Sequence, residues 1–90
     1  PAFLRDFQIV RESLEVQAAR LAARHREAEH VRLLNYWMNQ RVVMTHQPEP
    51  FAMAEFEIHR VVAEASGNPF LRASSAIMEF GVAYGVLSRL

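Results

Sequence analysis

Glu55 and His59 lie four residues apart in the stretch 51–71, FAMAEFEIHRVVAEASGNPFL. On a helix that spacing puts a carboxylate and an imidazole one turn apart on the same edge. Such a pair can ligate a divalent metal jointly, because these ions accept mixed oxygen and nitrogen donors. The competing reading is a hydrogen-bonded pair at the margin of a core. Arg11 is the other group with chemistry to offer. It falls between Phe7, Leu14 and Ala18, inside an apolar stripe, with Glu15 one turn on at the stripe's margin. A guanidinium held within a helical bundle presents two parallel donors to a carboxylate, which suits an anionic small molecule. The alternative is an Arg11–Glu15 pair whose ends reach solvent.

These side chains need helices to hold them, and the sequence supplies helical periodicity throughout. Phe7, Val10, Leu14, Ala18 and Leu21 mark a first helix over about 3–24, with Pro1 at its leading edge. The charged run 24–30 reads as a turn and the exposed start of a second helix, which places His25 and His30 toward solvent. Val31, Leu34, Met38 and Val42 give that second helix its stripe, with Trp37 beside it and Asn35 leaning inward at the core edge. It should stop near Thr45, where Pro48 and Pro50 break the chain. His46 sits in that break and is poorly placed to act as a ligand.

The third helix spans 51–65, with Phe51, Ala54, Ile58, Val62 and Ala65 inward and Glu57, Arg60 and Glu64 on the opposite face. Gly67 supplies a left-handed stop, Asn68 a cap and Pro69 a first-turn residue for a fourth helix. That last helix is apolar on two sides. Leu71, Met78 and Val82 form one stripe, and Ala73, Ile77, Phe80, Tyr84 and Leu87 another, so later helices and a second subunit are expected to cover what the bundle does not. Gly81 and Gly85 permit close helix approach there.

Ninety residues, 51% of them hydrophobic, bound the chain to one domain or a piece of one. Ten arginines balance ten acidic residues, so no polybasic nucleic-acid surface is available on this segment. The lack of cysteine excludes disulfides and thiolate metal sites and is compatible with the cytoplasm. The longest weakly charged run, 73–88, contains Glu79 and is too short to span a bilayer, so no membrane partner is expected. The fold class is all-α, an antiparallel helical bundle that gathers Arg11, Glu55 and His59 around a polar cavity.

Two segments resemble a known family. An acidic residue, three residues, His59, an alanine-rich run and then Gly67-Asn68 is similar to the signature of the FCD effector domain of GntR/FadR-type transcription regulators. Glu55 stands where that family usually has Asp, and Ile58 where an aromatic is common. Arg11-Glu-Ser-Leu14-Glu15, followed by Ala-Ala and Leu-Ala-Ala, resembles the family's first-helix pattern. The resemblance implies a bundle of six or seven helices, of which residues 1–90 form the first part as a partial effector-binding and dimerisation domain. It implies two further histidine ligands on later helices, and a winged helix-turn-helix DNA-binding domain, that this segment does not contain.

By this resemblance the expected function is a ligand-sensing, dimerising domain. Arg11 receives a small organic acid or similar metabolite, while Glu55 and His59 contribute to a divalent metal site of Zn, Ni or Mn type. The expected assembly is a homodimer that meets DNA only through the absent domain. A metal-dependent helical-bundle enzyme is the alternative from another class, although no second Glu-x-x-His element, HExxH sequence or paired nucleophile and base is present. A purely structural bundle whose inward polar groups pair with each other is the third.

Overall fold

A computed structural model describes residues 2–75. Among these residues four helices follow one another: α1 (Ala2–His25), α2 (Ala28–Val43), α3 (Pro48–Ala65) and α4 (Pro69–Ala73). Among the described residues there is no strand, and the architecture is an all-α bundle. The helix α3 is its axis, packing against α1, α2 and α4. It therefore buries more than one face: Ala54, Phe56, Val61, Ala63 and Ala65 are all withdrawn from solvent, while Ile58 and Val62 are half-buried. A single stripe of the kind expected for a surface helix leaves out Phe56 and Val61, because it assumes only one packing partner.

The helix ends follow local chemistry. Pro48 occupies the first turn of α3 and Pro50 follows within it, at positions whose amides would have no helical partner. The two prolines thus start the helix instead of merely interrupting the chain, and α3 begins three residues before the expected 51. Its first backbone bond runs from the Phe51 amide to the Gln47 carbonyl, at 2.9 Å. At the other end Gly67 takes φ +70°, the left-handed stop that the sequence predicts. Asn68 then caps α4, its Oδ1 accepting from the amides of Phe70 (2.9 Å) and Leu71 (3.2 Å). Ser66, buried between the two helices, donates to the Ala63 carbonyl and accepts from the Asn68 amide, so its hydroxyl is satisfied.

Packing takes one residue out of the expected stripe on α1 and rotates that on α2. On α1 the inward line runs Leu4, Phe7, Arg11, Leu14, Ala18 and Leu21, and Val10 is 50% exposed. On α2 the half-buried line is His30, Leu33, Leu34, Trp37, Gln40 and Arg41, with Trp37 at its centre; Val31, Met38 and Val42 are exposed, and so is Asn35. The cause on α2 is that two apolar rows, one through Val31 and Val42 and one through Leu33 and Trp37, both satisfy the helical period, and only the position of α3 selects between them. His30 is consequently half-buried, its Nδ1 accepting from the Glu27 amide at 3.0 Å to close the first turn of α2. His25 and His46 are exposed, as expected. The two stripes expected in the fourth helix, and Gly81 and Gly85, lie mostly or wholly outside the described residues.

Candidate functional site between the first and third helices

Arg11 lies on the inward line of α1 with half-buried Glu15 one turn on at its margin, and His59 faces them from α3. Glu15 Oε1 lies 3.4 Å from Arg11 Nε and 3.2 Å from His59 Nδ1. One carboxylate oxygen is thus shared by a guanidinium on its own helix and an imidazole on the neighbouring one. The three side chains are partly sheltered, with 25%, 25% and 30% of the surface of Arg11, Glu15 and His59 left to solvent. Both Arg11 Nε and Glu15 Oε1 are shut off from solvent, and neither has an aligned hydrogen bond. The contacts hold at ion-pair distance without hydrogen-bond geometry, which leaves the cluster with donor and acceptor capacity to spare.

Glu55 sits one turn before His59 on α3, half-buried, and makes no hydrogen bond or ion pair among the described residues. Its neighbours on that helix behave differently, since Glu57 pairs with Arg60 (Nε to Oε2, 2.9 Å). The unpartnered carboxylate therefore shares an edge with His59, while the paired one is held half-buried against Arg60.

Of the three residues singled out from the sequence, the fold joins Arg11 and His59 through a fourth, Glu15, and leaves Glu55 one turn from His59 without a partner among the described residues. Glu15 was visible in the sequence only as the margin of a stripe. Its i, i+4 spacing from Arg11 was the available signal, and its contact with His59, across forty-four positions of chain, had none. Among the described residues, no group of three or more His, Asp or Glu side chains is placed to hold a metal ion. A metal held by Glu55 and His59 would need further ligands from outside the described residues.

The model of the FCD domain matches residues 7–80. The chain belongs to the FCD domain family. The FCD domain is the regulatory effector-binding domain of GntR-family regulators, not a catalytic one. The match takes in both segments of the candidate site, the first-helix arginine with its glutamate and the Glu55/His59 edge. No curated protein and no solved structure matches the chain. Among the described residues of this FCD domain, no helix is long and apolar enough to cross a membrane.

Proposed function

We propose that this FCD domain senses a small organic acid or similar metabolite and passes the signal on as a dimer of a GntR/FadR-type regulator. The observation that carries the reading is the sheltered grouping of Arg11, Glu15 and His59 between α1 and α3, with the unpaired Glu55 on the same edge of α3. Arg11 receives the anionic group of the effector, its guanidinium offering a planar pair of donors that a lysine could not. Glu55 and His59 supply two ligands to a divalent metal of Zn, Ni or Mn type, which would anchor an oxygen of the effector when bound. The domain carries no chemistry of its own and acts in the cytoplasm. DNA is met through a winged helix-turn-helix domain elsewhere in the regulator.

Physically, regulation requires an effector that binds two arrangements of the homodimer unequally. Each tenfold preference moves that equilibrium by about 1.4 kcal/mol. The test is metal content and effector binding in the intact protein. Glu55→Ala with His59→Ala should abolish metal uptake while helicity stays intact, and unchanged metal content would defeat the ligand assignment. Arg11→Met should weaken binding of carboxylate metabolites at least tenfold, and equal affinity would remove Arg11 from the site.

A second reading draws on the same contacts. The Arg11–Glu15–His59 grouping also describes a structural ion-pair network that steadies α1 on α3. Purified protein that retains neither metal nor small acid, and takes up none on titration, would favour it.

A further inference from the structure

We propose that the outward face of α2 pairs with the same face of a second copy of this chain, the two helices running parallel about a two-fold axis and Asn35 meeting its own counterpart. Ala28, Val31, Asn35, Met38, Val42 and Thr45 follow one another in alternating steps of three and four residues, and all six are exposed. That spacing is the seam by which two helices pack along their length. The face that α2 turns inward runs instead through Leu33 and Trp37, and it is spent on α3. The helix therefore carries two seams, and among the described residues the fold occupies one of them.

The make-up of the outward seam selects a second copy as its occupant. It bears no charge, and the Thr45 hydroxyl is already bonded to the Val42 carbonyl at 2.6 Å. Asn35, near its middle, makes no hydrogen bond among the described residues. A carboxamide is donor and acceptor at once, so two of them facing across a two-fold axis satisfy each other, the amide N–H of one donating to the carbonyl oxygen of the other. A purely apolar partner on the same row would bury that group unpaired. One amide within an apolar seam also fixes register, because any slip along the helix separates the pair. Beside the seam, Glu29 and Arg32 neutralise each other within the helix, Arg32 Nε donating to Glu29 Oε2 at 2.8 Å, so two copies approach without unbalanced charge. This assignment deepens the dimer proposed above and rests on it, since the seam needs two copies.

Residues 1–90 contain no cysteine, so a thiol introduced among them reports its own neighbour. The test is disulfide cross-linking of the intact protein, with the unsubstituted protein as reference, alongside sedimentation equilibrium. Asn35→Cys and Val42→Cys, two turns apart, should each cross-link to the same position of the second copy, as only a parallel pairing allows. Val16→Cys, exposed on α1, should not. Asn35→Asp, which sets two like charges against each other, should weaken the dimer at least tenfold. Cross-linking at neither or only one α2 position overturns the proposal, and so do equal cross-linking at Val16 or an unchanged dimer in Asn35→Asp. Thiols at 35 and 42 that resist alkylation yet do not cross-link would put a later helix of the same chain on this row, which also overturns it. A dimer that shows neither effect defeats the seam and leaves the proposed dimer standing, whereas a monomer at every concentration defeats both.

Discussion

Glu15 on α1 and His59 on α3 meet at 3.2 Å, Oε1 to Nδ1, and theirs is the contact that turns two separately plausible sequence motifs into one site. Arg11 approaches the same oxygen at 3.4 Å. The sharing has measurable consequences for stability as well as for binding.

Removing Glu15 leaves Arg11 sheltered without its counter-charge. Glu15→Leu should lower the stability of the domain by about 1–3 kcal/mol, the range for stranding a buried polar partner. Combining it with Arg11→Met should recover most of that loss, since the stranded charge is gone. Urea unfolding of the two single variants and the double variant checks this, and additive losses would show that the two side chains do not interact.

The junction between α3 and α4 should be sensitive through backbone conformation. A β-carbon added at Gly67 would meet only His25 Cβ and Cγ, at 3.9 and 4.0 Å, ordinary contact distances. Gly67→Ala should therefore cost about 1–2 kcal/mol from the left-handed φ alone, and Gly67→Asn less, because asparagine tolerates that region. Asn68→Ala removes the acceptor for two amides and should cost about 1 kcal/mol. Thermal melts of the three variants rank them.

Burial predicts a sharp contrast between two apolar positions. Phe56, 6% exposed on the axial helix, should cost about 3–5 kcal/mol on change to alanine. Val42, 71% exposed on α2, should change the stability of the isolated monomer by less than about 0.5 kcal/mol. Denaturant midpoints at low protein concentration give both values.

At the start of α2, the hydrogen bond from Arg32 to Glu29 holds the glutamate below the ordinary carboxylate range, against the opposing desolvation and with the charge of Arg32 adding to it. Because the folded-state value lies under the unfolded one, this pair's contribution is present above the ordinary glutamate pKa and fades as pH falls through the depressed value. Carboxyl-carbon NMR titration should show the lowered midpoint, and Arg32→Gln should return it to the ordinary range. Both side chains are well exposed, so the effect should shrink as salt is added.

What the sequence determined by itself was everything with a local cause. Helical periodicity over short distances, a glycine that alone takes φ +70° cheaply, and an asparagine whose side chain caps the following helix all act within a few residues, so the helices and their stops were legible. The inward placement of Arg11 followed from its stripe for the same reason. Tertiary structure decided what depended on a neighbouring helix: that α3 is buried on several faces and so hides Phe56, that α2 turns Trp37 inward and Val42 outward, and that Glu15, not Glu55, reaches His59. Period alone leaves the rotation of a helix open when two rows of side chains are equally apolar. Only the position of the packed neighbour breaks that tie, and with it selects which carboxylate faces the imidazole.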